Sequence, residues 1–206
     1  MSKKPVIVFE GIEGSGKTFH LKSVIKYLIK KKISFIKIRE PGGNKNSEKI
    51  RKLILDNKSS FNKNSDLLLY LAARSENIEK LKKFYKKKII LIDRFIDSTV
   101  AYQHYGQKID LSLINYINKY LLGDFKVDFT FLNIVNEKNL SLRLKKRKKL
   151  NKYDRFSNNF YRKVQNGFIK ICKKRKKKYL IIDSNLDATF NKNLVINKIK
   201  TLIRWI

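Results

Sequence analysis

The chain has 206 residues, a net charge of +32 and a single cysteine, Cys172. Its length suits one α/β domain with a sizeable core, and its composition excludes an internal disulfide, a cysteine-rich metal site and a helix able to span a bilayer. The charge invites a nucleic-acid partner, but only 10 of the 49 basic residues are arginine, the better reader of bases and phosphates.

Met1-Ser2-Lys3-Lys4-Pro5 leads directly into the apolar run Val6-Ile7-Val8-Phe9. That run predicts a first buried strand over 6–9 and leaves no room for a signal peptide, so a cytoplasmic location is expected. Gly11-Ile12-Glu13-Gly14-Ser15-Gly16-Lys17-Thr18 follows, a complete G-x-x-x-x-G-K-[ST], and a helical pattern over 19–31 comes after it. Strand, glycine loop and helix in that order form a triphosphate cradle. The glycines let successive N–H groups point at phosphate oxygens, and the helix start adds its positive dipole end. Lys17 is expected to reach the β- and γ-phosphates, and the Thr18 hydroxyl to sit on Mg2+ brought with ATP.

A second strand is predicted over 34–38, followed by Arg39-Glu40-Pro41-Gly42-Gly43, a turn whose paired glycines allow close backbone approach to a ligand. Helical patterns then run over 47–55 and 65–84. In the latter Tyr70 and Arg74 are four apart and share one face, a pairing that suits a planar base. An aromatic in the core beside a surface arginine explains the same spacing. The third strand, 89–92, ends in Asp93-Arg94. Asp93 is placed to hold magnesium across from Thr18, and Arg94 to clamp an acceptor phosphate. Beyond them Ser98 with Tyr102, and Thr99 with Gln103, are further pairs four apart.

Helices over 111–122, 137–149, 160–177 and 194–203 alternate with strands over 129–134 and 179–182. The whole pattern predicts an α/β fold: a three-layer α/β/α P-loop NTPase, with a five-stranded parallel sheet flanked by helices. Ligands then bind at the carboxyl ends of the strands. No linker or second domain is seen, and the basic, polar stretch 145–159 is expected to form a mobile lid. Lysine runs such as Lys30-Lys31-Lys32 fall at helix ends, where cations suit the dipole. The charge is therefore read as a solvated basic face that draws in anionic substrates, with no specific nucleic-acid site.

Taken together, FEGIEGSGKT, REPGG, LYLAAR, DRFIDSTVAYQ and the DRF…NNFYRKVQNGF stretch resemble the bacterial thymidylate kinases over nearly the whole chain. The resemblance implies ATP and dTMP as substrates and a homodimer. It implies that Glu13 approaches the sugar 3′-hydroxyl, that Tyr70 stacks on thymine and that Arg74 bonds its edge. Arg94 would hold the acceptor phosphate and Arg51 would add a basic contact. Tyr102 would crowd the sugar 2′-position, with Ser98, Thr99 and Gln103 on the base side. Glycine at position 14 resembles members that take a catalytic arginine from the lid. Arg155 is the residue expected in that role, with Arg147 and Lys149 as alternatives. Asn44 stands where threonine is usual, Asn133 where an aspartate often ends the fourth strand, and the segment after Arg155 is short. Another P-loop nucleoside or nucleotide kinase, or a nucleic-acid-stimulated NTPase, is the alternative activity.

Overall fold

The computed structural model describes residues 4–147 and 150–204. Five strands form one parallel sheet in the order β2-β3-β1-β4-β5: β1 (Val6–Glu10), β2 (Phe35–Arg39), β3 (Ile89–Asp93), β4 (Phe129–Ile134) and β5 (Tyr179–Asp183). The helices are α1 (Lys17–Lys30), α2 (Lys45–Leu55), α3 (Lys63–Phe84), α4 (Ile96–Thr99), α5 (Leu111–Leu122), α6 (Glu137–Lys145), α7 (Asn158–Lys174) and α8 (Ala188–Leu202). The five-stranded parallel sheet with flanking helices is the architecture expected from the alternating sequence.

The central strands read as unbroken apolar runs because both sheet faces are covered. Ile7 and Phe9 of β1, Ile89 and Leu91 of β3 and Phe129 and Phe131 of β4 pack on Leu21, Val24 and Leu28 of α1 and on Val195 and Ile199 of α8. The alternate residues Val6, Val8, Ile90 and Ile92 face the other way, onto Ile78 and Leu81 of α3 and Leu122 of α5. Each fully buried aliphatic side chain contributes about 1.5–3 kcal/mol. A third apolar cluster joins Ile54 of α2, Leu67 and Leu71 of α3, Tyr102, and Val164 and Phe168 of α7.

Three local departures from the expected elements matter for the site. α4 continues as a π-helix, Val100–Gly106, in a region where the sequence showed only isolated spacings of four. The helical pattern over 137–149 stops at Lys145, and Lys149 lies outside the described residues. α8 starts at Ala188, earlier than expected, because the Asp187 side chain accepts from Phe190 N at 2.7 Å and caps it. Asn44 is likewise a cap, accepting from Ser47 N at 2.8 Å at the start of α2, which is what this residue supplies in place of threonine. The strand order sets the carboxyl ends of β1 and β3 side by side, with Phe9 opposite Asp93, where such sheets bind ligands.

Candidate active site

A cavity of about 430 Å³ opens over those strand ends, within the size range of small-molecule sites. Its two halves are built from different parts of the chain.

The first half is the glycine loop between β1 and α1. Gly11 sits at φ +137°, and a Cβ there would lie 2.2 Å from the Asn133 carbonyl oxygen, so only glycine lets the loop press against β4. Beneath the loop, Ser184 Oγ donates to Ser15 O at 2.6 Å, and Asn133 Nδ2 donates to Ser184 Oγ at 3.3 Å. The residue at position 133 is thus a buttress of the loop. Lys17 Nζ donates to Gly11 O at 2.8 Å and Ile12 O at 2.7 Å. Burial, with the Arg94 charge second, lowers its ammonium pKa to about 7, while Glu13, Asp93 and Glu10 oppose the shift.

Glu13, Gly14, Gly16, Lys17 and Thr18 line the cavity, with Asp93 also on its wall. Gly11, Ile12 and Ser15 do not: Ile12 is 1% exposed in the core, and Ser15 Oγ donates to Ile12 O at 2.8 Å. Arg143, which sequence reasoning missed, reaches over from α6 and donates to Gly14 O at 2.9 Å and Ser184 O at 2.7 Å. It too lines the cavity. Nothing in its spacing separates it from the neighbouring basic residues of 143–149.

The second half centres on Arg94, which follows β3 with φ +66°, a left-handed conformation unusual for a side-chain-bearing residue. Its guanidinium donates to Glu13 Oε1 at 2.6 Å and Gly11 O at 2.9 Å, and lies 5.4 Å from the centre of the Tyr102 ring. The Tyr102 hydroxyl donates to Glu13 Oε2. Burial would raise the Glu13 carboxyl; Arg94, Lys17 and Tyr102 together bring it below the usual carboxylate value. Arg51 lines the cavity and donates to Pro41 O at 2.8 Å.

Beneath Arg94, the buried Glu10 carboxylate accepts from Phe95 N at 2.8 Å, Ser98 N at 3.2 Å and Ser98 Oγ at 2.5 Å. It pins the start of α4. Burial, then the Asp97 charge, pushes its pKa up to about 7. The residue stands just before the glycine loop, and no spacing marked it.

Tyr70 and Arg74 both line the cavity from α3. Arg74 is a buried residue and not a surface one, at 2% exposure. Its Nε bonds Glu40 Oε2 at 2.8 Å, Nη1 bonds Asn118 Oδ1 at 2.5 Å, and Nη2 bonds Thr99 Oγ1 at 3.0 Å. Ser98, Thr99, Tyr102 and Gln103 line the same wall. Gln103 is 1% exposed, and its Nε2 has no hydrogen-bond partner among the described residues.

Arg155, the expected lid arginine, is a further site residue that the fold does not bring to the cavity. It is exposed and absent from the cavity wall, because its turn, Lys152–Arg155, points Tyr153 and Asp154 inward. Arg147 lines the cavity instead and pairs with Asp154. Tyr153 and Asn151 from the same stretch are also on the wall, and neither was read from sequence.

A family model described as thymidylate kinase matches residues 9–195. The chain belongs to the thymidylate kinase family. A thymidylate kinase of Acholeplasma laidlawii is 37% identical over 190 residues, covering 89% of this chain and 94% of its own length. One from Thermosipho africanus is 35% identical over 199 residues and covers 96% of both chains. The crystal structure of thymidylate kinase from Ehrlichia chaffeensis superposes with a TM-score of 0.77 at 33% identity, over 96% of this chain and 99% of that one. The thymidylate kinase match spans both halves of the cavity, from Glu13 to Tyr153.

Proposed function

We propose that this protein transfers the γ-phosphoryl group of ATP to the 5′-phosphate of dTMP, giving ADP and dTDP. The observation that carries the reading is one continuous cavity whose wall includes both Lys17 of the glycine loop and Arg94, Tyr70 and Gln103 of the second half. The attacking phosphate oxygen is already anionic, so alignment and charge neutralisation suffice and no strong general base is required.

On the donor side, Lys17 and the loop N–H groups would grip the triphosphate, with Arg143 along its flank. On the acceptor side, Arg94 would fix the monophosphate in line while Glu13 orients Arg94 and the sugar. Tyr70 would stack on the base, and the buried, unpaired Gln103 Nε2 offers a donor to a pyrimidine carbonyl. The hydroxyl of Thr18 and the carboxylate of Asp93 are hard oxygen donors on one wall. They fit a magnesium ion that takes its other ligands from phosphates and water. Bound there, the ion would neutralise charge on the β- and γ-oxygens.

A lid over 145–159 and a homodimer belong to the same reading. Exposed Leu53, Leu68, Tyr116 and Tyr120 on α2, α3 and α5 support the second, and sedimentation equilibrium would test it.

An ADP-release assay with thymidine, dTMP, dUMP, UMP and AMP tests the activity. dTMP should turn over best. dUMP should follow within about 10–200-fold, the most that one methyl group in an apolar pocket provides. Preference for thymidine or AMP would replace this reading with that of another small-molecule kinase.

A further inference from the structure

Tyr153 belongs to a surface turn, Lys152–Arg155, yet it is 3% exposed and lines the acceptor half of the cavity. Its ring stands edge-on to two aromatic rings of that half: 6.0 Å from Tyr70 at 82°, and 5.9 Å from Tyr102 at 69°. These separations are those of favourable edge-to-face pairs.

The turn is tied down on the acceptor side. Lys152 Nζ donates to both carboxylate oxygens of the buried Asp66, at 3.2 and 3.1 Å. Asn57 Nδ2 donates to Leu150 O at 3.1 Å, and the Tyr161 hydroxyl donates to the Tyr153 carbonyl. Asp66, Tyr70 and Arg74 follow one another at intervals of four, so they share one face of α3. The face that presents a ring and a guanidinium to the cavity therefore also anchors the turn that carries Tyr153.

We propose that Tyr153 is a specificity-determining residue for the acceptor: a further aromatic wall against the pyrimidine nucleoside, delivered by the 152–155 turn and locked there by the Lys152–Asp66 ion pair. The proposal rests on the acceptor being a pyrimidine monophosphate. Tyr153 touches the nucleoside and not the migrating phosphoryl group. Its contribution is to ground state and transition state alike, and it appears in the acceptor KM. The same 3-10 turn holds Asp154 against Arg147, so docking of the turn sets one acceptor wall and one cavity arginine together.

Steady-state kinetics of Tyr153→Ala, Tyr153→Phe and Lys152→Ala, with dTMP and ATP varied separately, test it. Tyr153→Ala should raise the dTMP KM about three- to tenfold, the loss of one ring contact to the nucleoside. Its ATP KM should stay within about twofold and its kcat within about threefold. Tyr153→Phe should restore the wild-type value, because the ring forms the wall. Lys152→Ala should raise the dTMP KM by a smaller factor through the loosened turn, and it keeps the variant series informative if the alanine at 153 fails to fold. A purely structural role would lower thermal stability and affect both substrates alike, which would overturn the proposal. So would unchanged dTMP KM values in Tyr153→Ala and Lys152→Ala. A wild-type enzyme that ignores every pyrimidine monophosphate would instead overturn the proposed activity.

Discussion

Arg94 Nη2 lies 2.6 Å from Glu13 Oε1, and this pair joins the end of β3 to the glycine loop across 81 residues of chain. The other Glu13 oxygen takes the Tyr102 hydroxyl, so one carboxylate holds both the guanidinium and the ring in place. Glu13→Ala should remove the charged partner of Arg94, leave it held by Gly11 O alone among its short contacts, and loosen its aim at the acceptor phosphate. A displacement of about 1 Å can cost about 10²-fold in rate, so kcat/KM for dTMP should fall on that order. Initial rates at varied dTMP would detect it, and an unchanged kcat/KM would remove the orienting role.

Lys17 should be needed for chemistry and not for folding. Its ammonium donates to two loop carbonyls and, at 3.5 Å, to Ser15 Oγ, and is held at a pKa of about 7 by burial, so its removal relieves a desolvation cost. Lys17→Ala should lose about 10²–10³ in kcat while its melting temperature stays at or above that of wild type. Phosphoryl transfer at the normal rate would overturn the donor-site reading.

The arginine pair of the 147–155 stretch separates two readings. Arg155, the sequence choice for the lid arginine, is exposed and off the cavity wall, whereas Arg147 is on it and paired with Asp154. Arg147→Ala should therefore lower kcat on the order of 10²–10³-fold, as loss of a charge-stabilising donor does. Arg155→Ala should change it by less than about threefold, in the range of surface substitutions. The reverse ranking in single-turnover assays would return the role to Arg155.

Glu10 should make stability fall as pH rises. Its folded-state pKa of about 7 is above the ordinary 4.5, so between these values the native state holds a proton that the unfolded state has released. The contribution is complete below about 4.5 and is lost as pH rises through about 7. Glu10→Gln cannot ionise, so its melting temperature relative to wild type should climb between pH 4.5 and pH 8. Each kcal/mol corresponds to about 2–4 °C in a chain of this size. A difference that stays flat across this window would show that Glu10 is charged throughout.

Arg74→Lys should be a severe substitution despite conserving charge. The guanidinium meets Glu40, Asn118 and Thr99 in three directions, which a lysine ammonium cannot match. Leaving Glu40 without its partner should cost about 3–5 kcal/mol, read as a lower midpoint in urea. Cooperative unfolding at the wild-type midpoint would show that the network carries little of the stability.

Sequence by itself determined what depends on neighbours along the chain. Apolar runs marked the central strands β1, β3 and β4, because a strand buried on both faces needs no alternation, and the edge strands β2 and β5, also read from their apolar residues, are only partly buried. The loop from Gly11 to Thr18 was legible because phosphate cradling demands glycines at fixed spacing. Tyr70 with Arg74, and Asp93 with Arg94, were legible as pairs on one helix face or at one strand end. The tertiary structure alone decided which distant groups share the cavity. It buried Arg74 among Glu40, Asn118 and Thr99, set Glu10 under the start of α4 and brought Arg143 onto the glycine loop. It also wound 100–106 as a π-helix and turned Tyr153 inward while Arg155 faced out. These outcomes come from contacts between elements far apart in the chain, where burial and charge complementarity outweigh local propensity, and no short-range pattern records them.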